Sequence, residues 1–471
     1  VVGLAREGQA AAQFLAQRGA KVTVTDAKPT ERLRKAVAAL QGTGVDFALG
    51  GHPERLLNPD TCDFLVVSPG VPLSSPFLQQ AQRKKLPLTT ESRLFCQLCP
   101  APIIGISGSS GKTTTTTLAG KMLRAAGYNA PVGGNIGQPL LNRLDEIRAA
   151  DWVALELSSF QLEYFHASLN QSANIPPQLR PFFADWSPKI AALLNITPNH
   201  LDRHKTMAAY TQAKRALVDS LGPDQPAVLG WDNPVTQAIG QQLNAPVRWF
   251  SLRQRVKNGA CLVDGQISLL KGGALRPVCP ADAVKLRGQH NLYNVLAACA
   301  IADAAGVDAA AMASAATGFS GVPHRLELVT RQKGVAWYND SIATSPERLM
   351  AALKSFDEPI ILLAGGKDKD LPWQAAARLI TQRVKHLILF GQARKLIFEA
   401  VEEAITNHPD EAPGKLPTID VYRTLEEAVA RAKTIARPGD VALLSPGGTS
   451  YDAYRDFAAR GEHFRQLAMN N

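Results

Sequence analysis

Gly105-Ile-Ser-Gly-Ser-Ser-Gly-Lys-Thr-Thr114 stands between an apolar run at 102–106 and a helical stretch at 115–126, and that setting decides the fold class. Glycines let the backbone curl so that successive N–H groups point at a phosphate chain, and the dipole of the following helix favours the anion. Lys112 is placed to reach the terminal phosphates and the Thr113 hydroxyl to bind Mg²⁺. Gly108, Ser109, Ser110, Gly111 and Thr114 complete the candidate cradle. A bare Gly-Lys-Thr also opens ordinary helices. Strand before, helix after and the glycines of the loop set this one apart. Ile106 occupies the usual first glycine position, so the pattern is the shorter Gly108-x-x-Gly111-Lys112-Thr113 variant. An ATP or GTP site on an α/β scaffold is implied.

Outward from this loop, strands alternate with helices along the whole chain, which implies parallel sheets with ligands at the strands' carboxyl ends. The first segment, 1–90, shows a strand end at 1–4, a helix at 8–17, a strand at 21–25 closing on Asp26, and an apolar run at 64–67 before Ser68-Pro69-Gly70. Its turn Gly3-Leu-Ala-Arg-Glu-Gly8 is a damaged dinucleotide fingerprint with Ala5 in the middle glycine position. Asp26 lies at the right distance to hold a ribose; tight strand–helix packing is the alternative. The middle segment, 91–321, adds buried strands at 152–156 and 191–195, and an alanine-rich helix running to about 305. Between those strands 168–189, rich in Pro, Asn and Gln, reads as an inserted surface loop. The last segment, 322–471, repeats the alternation, with apolar runs ending at Gly365-Gly366, Gly391 and Ser445-Pro-Gly-Gly448.

A chain of 471 residues suits about three domains. Hydrophobic residues make up 45% and charged residues 20%, ordinary for a globular protein. No apolar run approaches the ~20 residues of a membrane span, so no stable membrane association is expected. The chain opens inside a strand, and native residues upstream of Val1 are expected. Cys96 and Cys99 form a lone C-x-x-C without a second pair, which reads as thiols rather than zinc and fits a reduced, cytoplasmic protein. Lys and Arg (51) exceed Asp and Glu (41), a net charge of +10. That excess serves solubility or marks clefts that collect anionic substrates. With aromatics at 6% and no basic block interleaved with them, nucleic acid is not expected as a partner.

Several polar residues end the apolar strands. Glu156 closes its strand ahead of Leu157-Ser-Ser-Phe-Gln161, where a carboxylate beside the phosphate loop suits Mg²⁺; a helix-capping glutamate is the bland alternative. Asn195-Ile-Thr-Pro-Asn-His-Leu-Asp-Arg-His204 lacks the remaining ligands of a zinc site, so His200 reads as a ligand or orienter beside the same metal. Lys214, on the helix after Tyr210, reads from its residues alone as a solvated cation. Arg325 follows the hinge-like Gly321-Val-Pro and suits either a phosphate or a surface salt bridge. Asp340 suits a ribose hydroxyl. Lys367 and Lys369 form a cationic turn where a small carboxylate would bind, and the turn at 445–450 offers further anion capture.

Taken together these stretches resemble the Mur ligase family. The resemblance runs nearly end to end, through the loop at 108–113, Gly133-Gly-Asn-Ile-Gly137, Leu155-Glu-Leu-Ser-Ser-Phe-Gln161, Asn195-Ile-Thr-x-x-His-Leu-Asp-Arg203, Gly288-Gln-His-Asn291, Pro323-His-Arg325, Asn339-Asp-Ser341, Gly365-Gly-x-Asp-Lys369 and Leu444-Ser-Pro446. It implies an α/β protein of three domains: a Rossmann-like UDP-sugar domain (1–90), a central P-loop ATPase domain with a parallel sheet (91–321) and a Rossmann-like glutamate domain (322–471). It implies a cytoplasmic, monomeric ligase of cell-wall synthesis. The stretches at 133–137 and 155–161 favour the branch that adds D-glutamate to UDP-N-acetylmuramoyl-L-alanine. ATP would phosphorylate the alanyl carboxylate and the glutamate amine would attack the acyl phosphate.

Residue by residue, the resemblance makes Lys112 the stabiliser of the moving phosphoryl group. It gives one Mg²⁺ to Thr113 and Glu156 and a second to Glu156 and His200. It makes Lys214 a metal-binding carbamate. Asn291 and Asn294 would meet the adenine, with Arg325 and Asp340 on the nucleotide's phosphate and ribose. Leu4, Asp26, Lys28, Ser68 and Gly70 map to the uridine nucleotide; Asn135, Ser158 and Gln161 to the muramoyl-alanine arm; Thr344, Lys369, Ser450, Tyr451 and Phe457 to glutamate. Two positions depart from the pattern: Ile342 replaces a common lysine, and Gly447-Gly-Thr449 replaces a more usual Ala/Cys-type turn. These leave an L-glutamate-adding relative as the alternative. A folylpolyglutamate synthetase-like ligase would lack the first ninety residues, a dehydrogenase would not explain Lys112-Thr113 with Glu156, and a nucleotide sensor would bind ATP without glutamate-dependent turnover.

Overall fold

The computed structural model describes residues 1–407 and 416–470. They divide into two compact units, Val1–Val284 with Gln289–Gly318, and Lys285–Gly288 with Phe319–Asn471. No helix among the described residues is long and apolar enough to cross a membrane.

In the first unit Val2 bridges in parallel to both Thr25 and Val67. It thereby joins two parallel pairs, Thr23–Asp26 with Asp46–Leu49 and Leu65–Val66 with Leu88–Thr89. The helix Arg6–Gln17 follows the first turn, and its Ala11 and Phe14 enter a core continuous with the central sheet. That sheet runs in the order Val132–Gly134, Val153–Glu156, Ile103–Ser107, Ile190–Leu193, Ala227–Gly230, Val247–Ser251, Gly259–Val263, Gln266–Lys271 and Ala274–Pro280. Pairing is parallel up to Gly259–Val263 and antiparallel in the last two strands, so a ribbon extends a doubly wound sheet. Ile103–Ser107 is buried throughout and has later strands on both sides. The strand order reverses there, which opens a crevice at its carboxyl end. The helix Lys112–Ala125 leaves that end, and the alanine-rich helix Gln289–Ala304 lies against it, buried from Asn294 to Ala302.

Segment 168–189 lies at the surface, as its composition implied, with only Asn170, Phe183 and Pro188 buried, and it is anchored at both ends. Its backbone makes two short turns, Ala167–Asn170 and Pro177–Phe182. The buried Asn170 amide accepts from the Leu88 N–H and donates to the Leu88 carbonyl, both at 2.9 Å. It thus completes the outer side of the strand Leu88–Thr89, whose edge would otherwise expose unpaired backbone groups. Arg93, 2% exposed, donates to the carbonyls of Tyr164 (2.6 Å), Phe183 and Ala184 (both 3.3 Å) and pins the far end of the segment. The polar content goes with exposure along most of the segment, and the Asn170 amide alone stands in for a neighbouring strand's backbone.

The second unit holds one sheet in the order Glu327–Gln332, Val335–Asn339, Val441–Gly447, Ile360–Gly365, Val384–Phe390 and Thr418–Val421, parallel except at its first strand. Alternate residues of Ile360–Gly365 enter different cores: Leu362 packs with Leu349 and Trp373, and Ile361 and Leu363 with Val429 and Phe464. Burial on both faces explains the near-continuous apolar runs in the sequence. The order reverses between Val335–Asn339 and Ile360–Gly365, with Val441–Gly447 between them. Their carboxyl ends carry Asp340, Lys369 and the turn at 447–451.

Candidate active site

The phosphate loop is built from behind. Gly111 has φ +81°, and a Cβ there would lie 2.1 Å from the Asn294 side-chain oxygen, so only glycine fits. The Ser110 N–H donates to Asn195 Oδ1 at 3.0 Å, and the Ser109 hydroxyl lies 2.9 Å from the Tyr210 hydroxyl. No side chain caps the start of Lys112–Ala125 among the described residues, so its first N–H groups face the crevice. Thr113 is partly exposed at that mouth, and Thr114 is buried behind it.

Two lysine side chains meet on one carbonyl. Lys112 Nζ and Lys214 Nζ each donate to the Gly108 oxygen at 2.9 Å. Lys214 also reaches the Ser107 hydroxyl (3.3 Å) and is 1% exposed. Burial first, and the Lys112 charge second, hold its amine well below the ordinary lysine range, while Glu156 acts in the opposite sense. The solvated-cation reading of Lys214 is therefore wrong for this fold, because packing strips its water. Glu156 is 1% exposed; its Oε1 accepts from Asn135 Nδ2 at 2.8 Å, and its Oε2 has no hydrogen-bond partner. His200 stands exposed at the start of Leu201–His204 with φ +53°, its ring edge-on to Phe160. Among the described residues no three His, Cys, Asp or Glu side chains gather as a metal site. The orphaned Glu156 oxygen is nevertheless a hard donor aimed beside the loop, and it fits Mg²⁺ if hydroxyl, phosphate or carbamate oxygens complete the shell.

Next to the loop opens a cavity of about 450 Å³ lined by Asn195, Asp232, Asn233, Arg253, His290 and Tyr293 among others. Sequence reading missed Asp232 and Tyr293, which carry no motif signal. Asn294 is buried beneath Gly111, with its Nδ2 3.3 Å from Asn291 Oδ1.

Among the residues mapped to the sugar nucleotide, Asp26 accepts the N–H groups of Leu4 and Lys28, both at 2.8 Å, and the Ser68 hydroxyl donates to the Gly3 carbonyl at 2.9 Å. These contacts shape the damaged fingerprint turn. The Gly70 carbonyl accepts from Arg203, which also pairs with Glu163 at 2.6 Å. Ser158 and Gln161 form a capping box on Ser159–Leu162. Gln161 is fully buried; its Nε2 donates to Glu7 Oε1 (3.1 Å) and Ser92 Oγ (2.8 Å).

In the second unit Asp340 is buried, its Oδ2 accepting from the Ser445 hydroxyl (3.0 Å) and its Oδ1 from the Leu326 N–H (3.2 Å). Burial pushes its carboxyl up to about 7 against those bonds and the nearby Arg325 charge. Lys369 Nζ donates to Thr344 Oγ1 at 3.3 Å. Thr449 and Lys367 exchange backbone hydrogen bonds at 2.7 and 2.8 Å, which brings the 447–451 turn beside Lys367, and the Gly447 N–H donates to the Ala343 carbonyl at 2.8 Å. Ser450 is buried there, Tyr451 is 71% exposed, and the Phe457 carbonyl accepts from the Ser341 hydroxyl (2.7 Å). The departure at 447 has a steric cause: φ is +70° and a Cβ would lie 2.4 Å from the Trp373 ring.

Comparison with known proteins agrees with this arrangement. Three family descriptions match in succession: the Mur ligase MurD-like N-terminal domain at 1–90, the Mur ligase middle domain at 106–302, and the Mur ligase glutamate ligase domain at 324–448. The UDP-N-acetylmuramoylalanine–D-glutamate ligase of Symbiobacterium thermophilum is 39% identical over 470 residues, covering 99% of this chain and 96% of its own. That of Pelotomaculum thermopropionicum is 37% identical over 471 residues, covering 100% and 97%. Among solved structures, the UDP-N-acetylmuramate-alanine ligase MurC of Thermotoga maritima shares the fold with a TM-score of 0.57 at 17% identity, over 99% of this chain and 97% of its own. With its three α/β domains and relatives matched from end to end, the chain belongs to the Mur ligase family and carries the MurD-like form of the N-terminal domain.

Proposed function

We propose that this chain is the ATP-dependent ligase that joins D-glutamate to UDP-N-acetylmuramoyl-L-alanine in peptidoglycan precursor synthesis. Its family and the full-length relatives named for that activity support the substrates. The observation that carries the chemistry is the meeting of Lys112 and Lys214 on the Gly108 carbonyl, beside Glu156, where the order of the central sheet reverses.

An oxygen of the alanyl carboxylate attacks the γ-phosphorus of ATP, ADP leaves and an acyl phosphate forms. The glutamate amine then attacks the acyl carbon, and phosphate departs as the nitrogen loses its proton. Two anions must meet in the first step, so the site has to neutralise charge and hold the reactants in line. Lys112 turns from the Gly108 carbonyl onto the moving phosphoryl group, and the open N–H groups of the loop hold the chain of phosphates. Mg²⁺ bound here would screen phosphate charge and polarise the phosphoryl oxygens. Thr113 and Glu156 would hold one ion, and Glu156, His200 and carbamylated Lys214 a second. Burial and the Lys112 charge make the Lys214 ammonium more acidic and so favour an unprotonated lone pair, which can form a C–N bond to CO₂ with loss of a proton.

We assign the cavity beside the loop, with Asn291 and Asn294, to the adenine, and Arg325 and Asp340 to the nucleotide's phosphate and ribose. Leu4, Asp26, Lys28, Ser68 and Gly70 take the uridine nucleotide. Asn135 and Ser158 take the muramoyl-alanine arm, with buried Gln161 holding Ser158 in place. Thr344, Lys369, Ser450, Tyr451 and Phe457 take glutamate. Phosphate release with Mg²⁺-ATP and UDP-N-acetylmuramoyl-L-alanine, with D- or L-glutamate added in parallel, tests the reading. Turnover with D-glutamate alone is expected. Turnover only with L-glutamate would move the chain to a sister activity, and silence with both would overturn the assignment.

A further inference from the structure

In the second unit the basic side chains near carboxylates are paired: Arg287 with Glu358, Lys385 with Asp440, Arg431 with Asp420 and Arg465 with Glu327. Arg348 and Lys369 differ. Arg348, exposed in the first turn of the helix Pro346–Leu353, sends Nη1 to the Ile342 carbonyl at 3.1 Å, and Lys369 sends Nζ to the Thr344 hydroxyl at 3.3 Å. Neither forms an ion pair with a carboxylate among the described residues. The nearby acids are engaged elsewhere. Asp368 accepts from the Trp373 indole N–H (3.2 Å) and the Asp370 N–H (2.7 Å), and Asp340 is buried against Ser445 and Leu326.

These two cations also feel one another. Burial and then the Arg348 charge hold the Lys369 amine below its ordinary range. Like charges brought together at the carboxyl ends of parallel strands, without an acid between them, form a receptor for an anion. Only one of the five guanidinium donors is spent on Ile342, so a planar fork remains for a carboxylate.

We propose that Arg348 binds one carboxylate of the incoming amino acid while Lys369 and Thr344 hold the other, so that the guanidinium anchored on residue 342 serves where the side chain of Ile342 carries no charge. The inference rests on the ligase reading above and deepens it. Two fixed cations would select a dicarboxylic amino acid over a neutral one. They would also disfavour the ammonium form of its amine and so release the lone pair that attacks the acyl phosphate.

The test uses the full chain as wild type, Arg348→Met and the double variant Arg348→Met/Ile342→Lys. Arg348→Met is expected to raise the KM for D-glutamate about ten- to a hundredfold, with the KM values for ATP and UDP-sugar unchanged. Restoring a cation at 342 in the double variant is expected to recover most of that loss. An unchanged glutamate KM, or an equal rise in the KM for ATP, overturns the proposal. Calorimetric titration with glutarate, a dicarboxylate without an amine, needs no turnover. Glutarate bound by wild type and lost in Arg348→Met would uphold the anion site even if no glutamate were ligated. Equal binding by both would overturn the anion site while leaving the ligase reading intact.

Discussion

An ammonium on Lys214 would lie 2.9 Å from the Gly108 carbonyl with Lys112 on the same oxygen, and both burial and that second cation favour the neutral amine. The unpartnered Glu156 oxygen nearby calls for positive charge that a neutral amine does not supply. The carbamate proposed above would turn that amine into a second hard oxygen donor, and a metal bound there would balance both charges. Lys214→Ala is therefore expected to lower turnover on the order of a hundredfold, with partial recovery on adding acetate or formate, whose oxygens fit the vacated space. Steady-state phosphate release measures both effects. Wild-type turnover in the variant would remove Lys214 from the site.

The helix Glu91–Leu98 ties the first parallel strands to the central sheet through buried acids. Thr90 caps it by accepting the Arg93 N–H at 3.1 Å. Glu91 accepts from the Leu141 N–H at 3.2 Å and from the Ser92 hydroxyl at 3.3 Å, and Gln161 connects Ser92 to Glu7. Burial lifts the Glu7 carboxyl to about 7; burial and then the Glu7 charge lift Glu91 to about 8. Between about pH 4.5 and 8 the folded chain retains protons that the unfolded chain has lost, so stability falls as pH rises through that window. Glu91→Gln keeps an acceptor for Leu141 and removes the ionisation. Its thermal midpoint is expected above that of wild type at pH 8, with the gap closing towards pH 4.5. Parallel profiles for the two proteins would show that Glu91 takes up no proton on folding.

Over the whole molecule the net charge of +10 acts as a field on substrates that are all anionic. Such a field speeds encounter and is screened by salt, with a Debye length of about 10 Å at 0.1 M. Raising ionic strength is expected to lower kcat/KM for the UDP-sugar several-fold while kcat holds steady. A salt-independent kcat/KM would assign the excess basic residues to solubility alone.

The sequence by itself determined the parallel α/β architecture, the phosphate loop and the family. Those features depend on local pattern: glycine where φ is positive at 111, lysine and hydroxyls at fixed spacing behind a strand, apolar runs ending in polar turns. Asp26, Glu156 and Asp340 were legible because each stands at or just past the end of an apolar strand, whereas Lys214, Asn291 and Asn294 lie on helices and were placed by resemblance alone. Only the tertiary structure decided that Lys214 loses its water, that Asn294 supports Gly111 from below, that 168–189 completes the edge at Leu88, and that Arg348 stands beside Lys369. None of these follows from neighbours in the chain. Desolvation and charge proximity are set by segments far apart in sequence, and a residue's chemistry follows what packing removes from around it.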